Sequence, residues 1–156
     1  MSIRELILPR AGRWTGENQL WMDPSAPAVT SPSTLTISGA ARDHVVRVDY
    51  EWAFEGKPQV GTLLFGFERE TSKVTCAFAD SWHMSEGLML CGGTMDPAAR
   101  TVSVKGTYGD GQGGPRWGWR ISLELGDESK LALVMHNITP DGDEHLAVRA
   151  EHVRAS

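Results

Sequence analysis

The sequence predicts an all-β chain: a closed antiparallel up-and-down barrel of about ten strands, one domain over residues 1–156, with a short N-terminal helical turn. Three observations predict it. Runs rich in β-branched and aromatic residues recur ten times at nearly regular intervals. The connectors between them are brief and made of residues that tolerate turn geometry, which joins sequential runs as antiparallel neighbours. The clearest runs alternate apolar with polar, so that one face is buried and the other wet. Ten such strands either stack as a sandwich or close, and closure removes the sheet edges.

The helical turn is Ser2 to Leu8, where Ser2 and Glu5 have capping-box spacing and Pro9 blocks continuation, a segment suited to plugging one barrel end. The strands run approximately from Arg13 to Met22, Ser33 to Gly39, Val45 to Phe54, Gln59 to Phe67, and Lys73 to Trp82. Five more follow, from Gly87 to Thr94, Thr101 to Thr107, Arg116 to Leu125, Lys130 to Ile138, and Glu144 to Val153. The third is the clearest, with Val46, Val48, Tyr50, Trp52 and Phe54 on one face and Arg47, Asp49 and Glu51 on the other. The eighth repeats it, with Trp117, Trp119, Ile121 and Leu123 inward. On the ninth, parity is open, and His136 fits either face. On the tenth, Leu146, Val148 and Ala150 are expected inside and His145, Arg149 and Glu151 outside. Tight connectors are expected at Glu55-Gly56, Arg69 to Ser72, Asp96 to Arg100, Gly126 to Ser129 and Pro140 to Gly142. The longest irregular stretches are Ala26 to Pro32 and Gly109 to Pro115, the second expected near a barrel mouth.

A chain of 156 residues with 40% hydrophobic residues, 22% charged residues and six Trp is long enough to build a core without staples. The net charge is −5, and the 15 Lys and Arg are scattered singly among acidic residues. That distribution argues against a nucleic-acid partner and against docking on anionic membranes, both of which require concentrated positive charge. The apolar stretch Leu6 to Leu8 is too short for a signal peptide, and nothing approaches the roughly 20 apolar residues of a membrane span. A cytoplasmic location is therefore expected. In such a compartment Cys76 and Cys91 would be free thiols; a two-residue turn at His83-Met84 would set them opposite each other on neighbouring strands. Neither has zinc-site spacing, so no metal site is expected.

At Ala11-Gly12-Arg13-Trp14-Thr15-Gly16-Glu17 the chain resembles the Gly-x-Trp opening of lipocalin-like (calycin) barrels, in which the Trp closes the barrel base. Phe54-Glu55-Gly56, Gly61 to Gly66, Asp80-Ser81, Cys91 to Thr94 and Thr139 to Gly142 extend the resemblance, in order, to a bacterial barrel family of unknown function, numbered 1579. The resemblance implies a lipocalin-like barrel and names no activity. More distantly the chain is similar to fatty-acid-binding proteins and to haem-binding nitrobindins. Fatty-acid binders end in an interior Arg-x-Tyr, where this chain has Arg149-Ala150-Glu151. Nitrobindins ligate haem through a His near the C-terminus, where this chain has His145 and His152.

The leading functional expectation is a module enclosing a small, partly apolar ligand, with Trp14, Tyr50, Trp52, Phe65, Trp117 and Trp119 as its aromatic lining. Aromatic side chains also fill ordinary cores, so lining and filling both stay open. Asn18, at buried parity beside Trp14 and Gly16, is a candidate for orienting the ligand, because an apolar interior penalises an amide by a few kcal/mol unless it is paired. Asp80 and His83 are placed at the pocket mouth, and His136 is a further candidate. No catalytic residue is assigned: Asp80, Ser81 and His83 look like triad parts, but adjacent strand residues point to opposite faces. Two alternatives are a haem or metal barrel using His136, His145 or His152, and an isomerase or hydrolase using Asp80 with His83. No cofactor is assigned beyond that haem alternative. The remaining partner is a second copy of the chain, with Trp21 and Trp82 as candidate homodimer contacts.

Overall fold

The computed structural model describes residues 1–156. A helix, α1 (Ile3–Ile7), and a 3-10 turn (Leu8–Arg10) precede ten strands: β1 (Gly12–Leu20), β2 (Val29–Ala40), β3 (Val45–Phe54), β4 (Lys57–Glu68), β5 (Lys73–Asp80), β6 (Met89–Asp96), β7 (Thr101–Tyr108), β8 (Trp117–Glu124), β9 (Lys130–Ile138) and β10 (Glu144–Arg154). Each strand pairs antiparallel with its sequence neighbours, and β1 pairs with β10 from Trp14↔Arg154 to Leu20↔Val148, which closes the barrel.

The N-terminal end is sealed. Ser2 N donates to Glu5 Oε2 at 2.6 Å, the capping contact expected from the Ser2/Glu5 spacing. Five residues cannot sustain a helix alone, so α1 exists by packing. Ile3, Leu6 and Ile7 are buried in the common core, each contributing about 1.5–3 kcal/mol relative to exposure. Trp14 is fully buried behind this plug, its Nε1 donating to Arg10 O at 3.0 Å and its ring covered by the Arg154 guanidinium at 4.5 Å. From there to the level of Tyr50 and Phe78 the interior is packed with side chains, Phe65, Leu63, Val48 and Leu133 among them. The barrel is solid below and open only at the other end.

Three local features depart from the sequence expectation. β2 begins at Val29, so Pro32 lies in a strand, opposite Glu17. β2 meets β3 only from Thr34↔Glu51 onward, and Pro32 therefore forfeits no bond to β3. β5 ends at Asp80 and β6 starts at Met89, replacing a two-residue turn by the loop Ser81 to Leu88, although the register still sets Cys76 opposite Cys91 as free thiols. In β10 a bulge between Leu146 and Val148 reverses the alternation. Leu146 pairs with His136 on the outer face and His145 pairs with Asn137, so His145 turns inward, contrary to its expected outward parity. Beyond the bulge Val148 and Ala150 face in as expected, and Arg149 ion-pairs outside with Glu124 and Glu151.

Candidate functional site

At the open end three neighbouring strands build one polar row. Tyr50 of β3 lies opposite Gly61 of β4, and Gly61 lies opposite Asp80 of β5. A Cβ on Gly61 would collide with the Tyr50 ring, so the glycine is what lets the phenol lie across the middle strand. Tyr50 Oη then donates to Asp80 Oδ2 at 2.5 Å. The other carboxylate oxygen accepts from the backbone N–H groups of Trp82 and His83, at 2.7 and 2.8 Å. Asp80 is 3% exposed, and these bonds make it the hub that ends β5 and folds the following loop back over the mouth. Burial, reinforced by the Asp80 charge, pushes the Tyr50 phenol well above its ordinary range, so it remains a donor.

The loop carries Trp82 and His83 into an aromatic mesh. The Trp82 ring meets those of Trp52, Phe54 and His83 at 5.5, 5.1 and 4.8 Å, and the His83 ring lies 5.1 Å from Trp119. Burial lowers the His83 pKa against the opposing pull of Asp80, which keeps the imidazole neutral near pH 7. Two pockets open on either side of this mesh. One, of about 400 Å³, includes Leu20, Trp21, Trp117, Asn137 and His145; the other, of about 360 Å³, includes Met84, Met89 and Tyr108, with Phe78 fully buried beneath it. Both share Trp82, His83 and Trp119. The Trp119 indole nitrogen is buried and has no hydrogen-bond partner. Tyr108 Oη donates to Asn137 Oδ1 at 2.6 Å and locks the neighbouring wall.

The structure brings Tyr50, Trp52, Asp80, His83, Trp117 and Trp119 together at this mouth. Trp14 and Phe65 are wholly buried in the packed lower half instead, as core. Asn18 is buried between Ser31 and Ala150, two positions below the pocket residue Leu20, and lines neither mouth pocket. His136 pairs with Arg120 on the outer face, away from the mouth. The triad resemblance dissolves: Ser81 Oγ donates to Gln59 and accepts from Val60 N, on the side opposite His83. Sequence reasoning missed Trp82, Met84, Met89, Tyr108, Asn137 and His145 as mouth residues.

The family described as "Protein of unknown function (DUF1579)" matches residues 3–154. The chain belongs to this family. The crystal structure of Rv2717c from M. tuberculosis aligns with this DUF1579 chain with a TM-score of 0.66 at 12% identity, covering 97% of this chain and 96% of that one, a likeness of fold. A putative thioesterase II from Thermobifida fusca YX also aligns, at 8% identity over 92% of this chain and 79% of that one, but its TM-score of 0.25 carries no argument. No curated protein matches.

In this DUF1579 chain a second row repeats the glycine device lower in the barrel. Ser33, Gly16 and His152 lie side by side on β2, β1 and β10, and Ser33 Oγ sits 2.9 Å from His152 Nε2. His152 is 2% exposed, its Nδ1 is unpartnered, and burial lowers its pKa to about 4. The three histidines of the last two strands therefore diverge: His136 outward, His152 into the core, His145 to the mouth. No three His, Cys, Asp or Glu residues gather where they could hold a metal ion, and no helix is long and apolar enough to cross a membrane.

Proposed function

We propose that the open end of the barrel binds a small, flat, partly apolar molecule that carries a hydrogen-bond acceptor. The observation that carries this reading is the pair of pockets that meet at Trp82, His83 and Trp119, the last of which also has a buried indole N–H without a partner. A buried donor without a partner costs about 1–3 kcal/mol, and a ligand acceptor at that point relieves it. Pocket volumes of about 400 and 360 Å³ suit a small molecule, and the rings of Trp52, Trp82 and Trp117 supply stacking surface. His83, neutral and without a hydrogen bond to its ring, adds one more polar contact.

Binding is favoured over catalysis because Asp80 already accepts three hydrogen bonds within the chain and is held as a structural hub, not as a free base. A haem or metal reading would rest on His145 alone, the one histidine of the last two strands at the mouth. The test uses prodan, a neutral, environment-sensitive naphthyl ketone. Saturable fluorescence enhancement is expected, weakened about tenfold by Trp119→Phe, the loss of one hydrogen bond, and abolished by His83→Trp, which fills the junction. Equal binding by both variants and the parent chain, or no saturation at all, refutes the reading.

A further inference from the structure

We propose a second binding site, for a phosphate-type oxyanion, at the sealed end of the barrel, formed by Arg10, Arg100 and Arg154. The three guanidinium groups come from the 3-10 turn, the β6–β7 connection and the end of β10, and all line one depression of about 460 Å³. None of them is ion-paired. The ion pairs of the chain engage Arg47, Arg120 and Arg149 instead. The three unpaired cations donate only to main-chain carbonyls: Arg10 Nη2 and Arg100 Nη1 converge on Gly126 O at 3.4 and 3.1 Å, and Arg154 Nη1 reaches Ala11 O at 3.1 Å.

This arrangement is costly as it stands. Two cations share one carbonyl in a chain whose 20 acidic residues outnumber its 15 Lys and Arg. Arg10 is only 9% exposed, and its Nε is buried without a partner. Its pKa is lowered first by burial and then by the charges of Arg100 and Arg154, with Glu128 and Asp127 offsetting part of this. An anion in the depression would reverse the repulsion and satisfy the forks of donors. A guanidinium presents a planar fork that matches phosphate or carboxylate oxygens. Three forks from three separate elements suit a tetrahedral oxyanion, whose oxygens exceed the two of a carboxylate. Glu5 and Glu128 also line the depression; Glu5 is engaged by Ser2 N, which leaves Glu128 as the competing carboxylate.

The site lies at the opposite end from the mouth, so the two proposals stand or fall separately. The experiment titrates the full chain with inorganic phosphate at constant ionic strength, reading the Trp14 indole resonance beside Arg154 and Arg10. Saturable shifts are expected for phosphate and not for acetate. Arg100→Gln, at an exposed position, should weaken phosphate by at least about tenfold, the loss of one charge-assisted contact, with a melting temperature in phosphate-free buffer no lower than the parent's, since the repulsion on Arg10 is relieved. Glu128→Gln should tighten binding. Glycerol 3-phosphate is the second arm: tighter binding than phosphate identifies an organic phosphate ester, equal binding the free ion. Phosphate no more effective than chloride, or Arg100→Gln binding it like the parent, overturns the proposal.

Discussion

Acidification from pH 7 to pH 5 should cost the fold about 2 kcal/mol through His152 alone. Its imidazole is 2% exposed, bonded to Ser33 through Nε2, and depressed to about 4 from an ordinary 6.5. The folded pKa lies below the unfolded one, so the contribution is intact above pH 6.5 and is lost as the pH falls towards 4, where the unfolded chain takes up a proton that the folded chain refuses. At 1.36 kcal/mol per unit over the roughly 1.5 units between 6.5 and 5, the loss is about 2 kcal/mol. Urea denaturation at pH 7 and 5, on the parent chain and on His152→Gln, isolates this residue, since other titrating groups are common to both. The variant should lose about 2 kcal/mol less than the parent. Equal losses would show that His152 titrates normally and that the burial argument fails.

Gly61→Ala should destabilise the chain by about 1–3 kcal/mol in urea, because the added methyl drives the Tyr50 ring off Asp80. Tyr50→Phe, which leaves one Asp80 oxygen without its donor, should cost about 1–3 kcal/mol on the same assay, and substantially less than this would show that solvent reaches Asp80. The Cys91 thiol is pushed up to about 11 by burial, and the Cys76 thiol is raised further by burial and by its neighbour. Both should resist a disulfide reagent at pH 8 in the folded chain and react promptly in denaturant, and rapid labelling of the native protein would contradict the buried pairing.

Ten short runs joined by tight turns left little freedom, so strand number and order were legible in the sequence; Cys76 does lie opposite Cys91, but across the loop Ser81 to Leu88 and not through the two-residue turn on which that pairing was conditional. What was not legible turns on single residues whose effect is non-local. The bulge at Ala147 is hidden because Leu146, Ala147 and Val148 are all apolar, so parity could not be assigned from alternation; pairing with β9 fixed it and brought His145 inward. Trp82 read as strand because it is aromatic, whereas the Asp80 carboxylate captures the amides of Trp82 and His83 and ends the strand; the Asp80-Ser81 pair closing the run from Val74 was the available signal. Glycines inside strand patterns were the second overlooked signal, since Gly61 marks where the Tyr50 ring crosses its neighbour and Gly16 where the β10 backbone at Glu151 and His152 leaves no room for a Cβ. Filling against lining could not be separated by composition: Trp14 and Trp119 are the same residue type on the same face pattern, and only the plug by α1 decides which end is solid.

The incomplete seam between β2 and β3 has a mechanical corollary. Above Thr34 and Glu51 the two strands part, each held only by its other neighbour, with one Ser31 hydroxyl bridging to the Ala53 amide at 3.1 Å and a shallow hollow of about 370 Å³ over the gap. The rim is therefore split like a collar, able to flare on the Trp52 side by breaking a single side-chain bond while every ladder bond below stays intact. Amide exchange at Ala53 should outpace that at Val48, because the rim can open there without any unfolding of the cylinder.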